Sequence, residues 1–240
     1  MGRCQPIARA FTKLELLVAV AALAVLVLLV APLLNTQREK RNRATCAHNL
    51  AMIGVAIRAY QADNGGRIPN AGLWHPPYQN DPGWDLKLIN GGYATPGIFR
   101  CPSDRIRRST APCGWHTEPP AAPPRSYAIN MGRDAAAEHL WIQGSRLPCP
   151  HLPEPGKVAL VAERVDGNSK NRIGSKCAGL VFNGPEHITS FHVPKPHPLA
   201  PDPRTNYLFL DGHVEWVETP RPEMFPPRPP GTSFLNPPCP

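Results

Sequence analysis

A chain of 240 residues has room for one membrane segment and one domain of ordinary size, and two full soluble domains would be cramped. The net charge of +8 would suit an acidic partner, but much of the excess flanks one apolar stretch, in Arg3, Arg9, Arg38, Lys40, Arg41 and Arg43. No run of base-stacking aromatics accompanies it, so nucleic acid is not an expected partner.

The first predicted element is a membrane helix. Leu16 to Leu34 is 19 residues without a charge, about 28 Å long as a helix and enough to cross a bilayer. A secretory signal peptide would be shorter and end in a small-residue cleavage site, and the exit here, NTQREKRNR, has none. Glu15 stands at the edge of the run, where a lipid-facing charge costs about 2.5–3.5 kcal/mol at the bilayer centre and less near an end. It therefore either snorkels to the interface or has a partner.

The residues ARA-FTKLELL ahead of the apolar run resemble the processing signal of type IV pilins and type II secretion pseudopilins. That resemblance implies cleavage by a prepilin peptidase between Ala10 and Phe11 and N-methylation of Phe11. It also implies a helix-kinking role for Pro32 and an assembly role for Glu15, whose carboxylate would pair with the cationic amino terminus of a neighbouring pilin-like subunit. The cysteines and the cleavage signal place the leader in the cytoplasm. Charge balance alone, Arg3, Arg9 and Lys13 against Arg38, Lys40, Arg41 and Arg43, slightly favours the reverse.

Beyond Asn35 the spacing of Cys46, Leu50, Ile53, Ile57 and Tyr60 predicts one face of an amphipathic helix, ended by Gly65-Gly66. The chain then carries seven cysteines in all, many for a reduced cytosolic protein and ordinary for an exported one. With Cys4 in the leader, Cys46, Cys101, Cys113, Cys149, Cys177 and Cys239 remain, and their pairing is open on sequence grounds. The segment CAHNLAMIGVAIRAYQADNGGRIPN, with 98-IFRCPSD-104, 126-SYAIN-130 and 158-VALVAE-163, resembles one expanded pilin-like set named for a histidine, nine residues and Asp-Gly. Membership implies a Cys46–Cys101 disulfide.

The final block, NYLFLDGHVEWV, predicts a hairpin turning through a two-residue type I′ loop at Asp211-Gly212. That register sets Leu210 opposite His213, Phe209 opposite Val214 and Leu208 opposite Glu215. The set's spaced histidine would fall on Pro201, and the nearest candidates are His192 and His197. His192 or His197 with Asp211 and His213 is the candidate divalent-metal set, although the spacing fits no zinc pattern and the expectation is no metal and no cofactor. Glu163, closing VALVAE, is the one acid to watch, with a capped or solvated strand end as its plainer reading. No G-x-S-x-G, H-E-x-x-H or phosphate loop occurs, so no enzymatic activity is expected.

The 32 prolines concentrate in 118–125, 193–204 and 219–231, stretches expected to be loops or tails because proline lacks the donor that helices and inner strands need. The expected organisation is a cleavable leader at 1–10, a transmembrane helix at 11–35, its amphipathic continuation at 36–66, an extracytoplasmic head at 67–218 and a proline-rich tail at 219–240. The fold class is α+β, a long N-terminal helix packed on a small antiparallel sheet. The expected role is a structural or minor subunit of a type IV pilus-like or type II secretion-like filament, single-pass in a bacterial inner membrane. Two alternatives are an anchored binding protein for polysaccharide or DNA, using Arg105, Arg107 and Arg108, and a metalloenzyme built on the histidines.

Overall fold

The computed structural model describes residues 12–70, 82–104, 125–130, 154–163, 181–182, 188, 190–192 and 203–226. It divides into two compact units, Met1–Arg41 and Asn42–Pro240. The first helix, α1, spans Lys13–Asp63 and contributes to both.

In the first unit, the apolar side chains from Leu14 to Leu34 are exposed. Among the described residues, α1 is the single helix long and apolar enough to cross a membrane. Pro32 lies inside it, and the Thr36 hydroxyl donates to the Pro32 carbonyl at 3.0 Å. The N-terminus is closed by a reciprocal cap: the Thr12 N–H and hydroxyl donate to Glu15 Oε2 at 2.8 and 3.0 Å, and the Glu15 N–H donates to Thr12 Oγ1 at 3.2 Å. That arrangement satisfies donors every helix start leaves open.

In the second unit, α1 buries Asn42, Cys46, Leu50, Ile53, Gly54, Ala56 and Ile57, the stripe the 3.6-residue period demands. Its end is enforced by Gly65 and Gly66 at φ 64° and 81°, where a Cβ would be strained, and by the Gly66 N–H bonding back to the Gln61 carbonyl at 2.7 Å. A short helix α2 follows at Trp84–Asn90, then strands β1 (Tyr127–Asn130), β2 (Ala159–Glu163), β3 (Val181–Phe182), β4 (Thr205–Phe209) and β5 (Val214–Val217). The sheet order is β3-β1-β2-β4-β5. Four strands are antiparallel, and the two-residue β3 adds to β1 in parallel at the edge.

Alternation along these strands covers both faces. Tyr127, Ile129, Val161 and Leu208 meet the buried stripe of α1, with Trp84, Leu88 and Phe99 filling the same core. Ala128, Ala162, Tyr207, Phe209 and Val217 face the other way and are covered by Ile188, Met224 and Phe225. The start of the expected tail is thus part of the domain: Pro222–Met224 forms a 3-10 turn that seats Met224 and Phe225 on the sheet. Proline bars this segment from regular strand pairing but leaves its apolar neighbours free to pack.

The hairpin register is corrected. Leu208 lies opposite Val214 and Tyr207 opposite Glu215, while the Phe209 N–H bonds the His213 carbonyl at 2.9 Å. The loop is therefore Leu210, Asp211 and Gly212, one residue longer than expected. The Gly212 N–H returns to the Phe209 carbonyl at 2.9 Å and Gly212 takes φ 89°, the pattern of a tight turn followed by a left-handed glycine. Asp211 acts through its side chain, accepting the His213 N–H at 3.0 Å. Burial opposes ionisation of Asp211 but is outweighed by the hydrogen bonds from the His213 backbone and ring, leaving its carboxyl below the usual value.

Close approach of helix and sheet has a measurable cost. A Cβ at Gly54 would stand 2.9 Å from Leu208 Cδ1. Gly54→Val is expected to destabilise the domain by about 1–3 kcal/mol through overpacking, read as a lower urea midpoint for the detergent-solubilised chain.

Candidate functional site

Three segments meet beneath the N-terminal part of the buried stripe of α1. Asn42, Cys46 and Asn49 repeat at one-turn spacing and so share a face. Asn42 Nδ2 donates to Ser103 Oγ at 3.1 Å and Asn49 Nδ2 to the Arg100 carbonyl at 3.1 Å. Between these grips Cys46 is joined to Cys101 by a disulfide with Cα atoms 5.4 Å apart, closing a sequence separation of 55. The loop after Cys101 is fixed from its far side. The Cys101 N–H donates to Ser126 Oγ at 3.0 Å, and that hydroxyl donates to Asp104 Oδ2 at 2.6 Å.

Two ionisable side chains lie against the disulfide. Glu163, last residue of β2, points to the α1 side of the sheet beside Tyr127, its partner in register. His192 Nε2 lies 2.9 Å from Glu163 Oε1, and the two side chains are 1% and 0% exposed. The other carboxylate oxygen accepts the Phe191 N–H at 2.9 Å, and the His192 N–H donates to Ser190 Oγ at 3.1 Å, so a short turn presents the imidazole. Cys101 Sγ is 3.6 Å from His192 Nε2 and 3.8 Å from Glu163 Oε1. The plainer reading of Glu163 as a solvated strand end is therefore corrected: its side chain is fully buried and held by a histidine and a backbone amide, as burial of a polar group requires.

Trp216 of β5 links this cluster to the surface. Its ring centroid is 6.3 Å from that of His192, the Arg43 guanidinium stacks 3.3 Å above it, and its indole N–H donates to Glu218 at 2.6 Å. Burial lowers the Arg43 value, while the charges of Glu218 and Glu163 pull it back up, so Arg43 lies within electrostatic reach of the buried acid.

This geometry limits the chemistry. A nucleophile–base–acid relay needs the two imidazole nitrogens on different partners. Here one nitrogen, Nε2, faces both Cys101 and Glu163, an arrangement that converges on a point instead of passing a proton along a line. Among the described residues, Cys46, Cys101, Glu163 and His192 form the group able to offer metal donors, with donor atoms within 4.8 Å of one another.

Comparison of the chain with protein-family models, curated proteins and solved structures finds no match.

The residues expected from sequence separate accordingly. Ala10, Phe11, His197, Pro201 and the basic candidates Arg105, Arg107 and Arg108 lie outside the described residues, as do Cys113, Cys149, Cys177 and Cys239. Glu15 caps α1 through Thr12, and T-x-x-E is the sequence signature of such a cap. Of the expected metal set, His192 is drawn into the Cys46, Cys101 and Glu163 cluster. Asp211 and His213 instead pair with each other at 2.6 Å on the exposed hairpin end, where the His213 ring stacks on Phe209 at 4.3 Å. Missing from the expectation was the joining of Glu163 to His192, which no spacing rule announces.

Proposed function

We propose that the chain is a pilin-like subunit, structural or minor, of a type IV pilus-like or type II secretion-like filament, and not an enzyme. The observation that carries this reading is that one helix supplies both parts such a subunit needs. Its first part is apolar and exposed and begins at a capped Glu15. Its second part is the inner face of a small α+β domain and is tied to it by a disulfide. The exposed apolar surface from Leu14 to Leu34 needs a lipid or protein environment, and a bundle of such helices in a filament core provides one after the membrane has held the precursor. In this reading Glu15 exchanges its local cap for the amino terminus of a neighbouring Phe11, and the head faces outward from a bacterial inner membrane.

Processing tests the proposal directly. Co-expression with a prepilin peptidase is expected to yield a chain whose first residue is N-methylated Phe11, identified by N-terminal sequencing and mass spectrometry, and Ala10→Leu should block the cut. A chain that retains Met1 in the presence of an active peptidase would overturn it.

A further inference from the structure

We propose that the Cys46, Cys101, Glu163 and His192 cluster is a redox-gated metal site, which binds a zinc-type divalent cation when the disulfide is reduced. The inference is independent of the filament reading, because it concerns only the core of the second unit.

The donor set is the first argument. Two thiolates, one imidazole nitrogen and one carboxylate oxygen suit zinc or cobalt(II) and do not suit calcium or magnesium, which take oxygen donors. Spacing is the second. A tetrahedral ion with bonds of about 2.0–2.3 Å sets its ligand atoms roughly 3.3–3.8 Å apart. Cys101 Sγ already stands 3.6 Å from His192 Nε2 and 3.8 Å from Glu163 Oε1. The 2.9 Å between Nε2 and Oε1 has only to widen slightly once an ion replaces the shared hydrogen.

Support behind the ligands is the third argument. Metal-binding carboxylates and histidines are normally oriented by further hydrogen bonds. Glu163 Oε2 is occupied by the Phe191 N–H, which leaves Oε1 facing the cluster. Cys101 is set by the Ser126 and Asp104 chain, and Asn42 and Asn49 hold the same loop to α1. These contacts do not depend on the S–S bond, so both sulfurs stay near their places when it opens. Two thiolates and a carboxylate exceed the charge of a divalent ion by one, and the Arg43 guanidinium, stacked on the Trp216 ring beside His192, carries the opposite sign.

The balanced steps are simple. A dithiol donor passes two electrons and two protons to the S–S bond and becomes a disulfide itself, leaving thiols on Cys46 and Cys101. The cation then displaces both thiol protons to solvent, and His192 binds through Nε2 as a neutral imidazole, its single ring hydrogen passing by way of solvent to Nδ1. The junction of α1 with the Cys101 loop therefore has two mutually exclusive locks, a disulfide under oxidising conditions and a metal under reducing ones.

Cobalt(II) provides the test. The full chain in detergent is reduced anaerobically with a phosphine, which takes up the disulfide's oxidising equivalents as phosphine oxide, and is then freed of reagent and titrated with Co2+. Expected are the intense visible bands of tetrahedral cobalt and a thiolate charge-transfer band, saturating at one ion per chain and abolished by Zn2+, with neither in the oxidised chain. Five other cysteines are present, so Cys101→Ser, His192→Ala and Glu163→Gln assign the signal. Each is expected to weaken binding by about tenfold or more and to alter the spectrum. Far-ultraviolet circular dichroism of His192→Ala and Glu163→Gln before reduction checks that they fold with the disulfide intact. If reduction unfolds the chain, recovery of the native dichroism on adding Zn2+ supports the site. Weak octahedral bands alone, or a tetrahedral spectrum unchanged by both Cys101→Ser and His192→Ala, would overturn it.

Discussion

Asp85→Ala is expected to destabilise the head by about 3–5 kcal/mol, because it strands a buried guanidinium. Arg125 Nη1 lies 2.8 Å from Asp85 Oδ2 with the side chains 2% and 0% exposed. Asp85 occupies the first turn of α2 between the buried Trp84 and Leu86, and Arg125 lies two residues before β1. The pair therefore ties α2 to the start of the sheet from inside the core. Pairing two charges there roughly offsets what desolvation costs, so the bond itself adds little, whereas loss of one partner exposes the whole penalty. Three denaturation curves separate these effects: Asp85→Ala and Arg125→Met alone should each shift the midpoint strongly, and the double variant should lose much less than their sum. Additive losses would show that the two groups do not act as a pair.

Loss of the Cys46–Cys101 bond should rank beside it. Closing 55 residues of chain lowers the freedom of the unfolded state enough to contribute about 3–4 kcal/mol, and Cys46→Ser or Cys101→Ser should lower Tm by about 10 °C for a domain of this size. Asn42 and Asn49 continue to hold the Cys101 loop in those variants, so the native far-ultraviolet spectrum should survive at low temperature. Peptide mapping without reductant locates the bond. Free thiols at both positions in protein from an oxidising compartment would remove the basis for the expected shift.

What could be read in advance was local. The stripe of Cys46, Leu50, Ile53 and Ile57 repeats at the helical period, and Gly65-Gly66 stops the helix for a backbone reason, so both are visible in a short window. VALVAE reads as a buried strand on composition, and Asp-Gly reads as a turn. The hairpin register was not legible because the same dipeptide serves loops of two and three residues, and the choice depends on which side chains must face α1. Leu208 belongs to the core under the helix and Glu215 does not, so the longer loop prevails. The pairing of Glu163 with His192 joins a strand end to a turn far along the chain, and no periodicity marks contacts between distant segments. Met224 and Phe225 were hidden by the prolines around them, which argue against regular structure but not against burial.

The order of the strands has a consequence for how the protein is made. β2 is the middle of the sheet and pairs on one side with β1, the strand before it, yet on the other side Ala159 and Val161 pair with Phe209 and Leu208 near the end of the described chain. Such a high contact order slows folding. Translation proceeds from the N-terminus, so α1 is complete long before β4 emerges. Throughout that interval β2 has an unpaired edge, and the apolar face that α1 must cover is only half assembled. A nascent chain halted short of Thr205 should therefore remain protease-sensitive and dependent on a holdase, and folding of the head should begin only once the hairpin has been released.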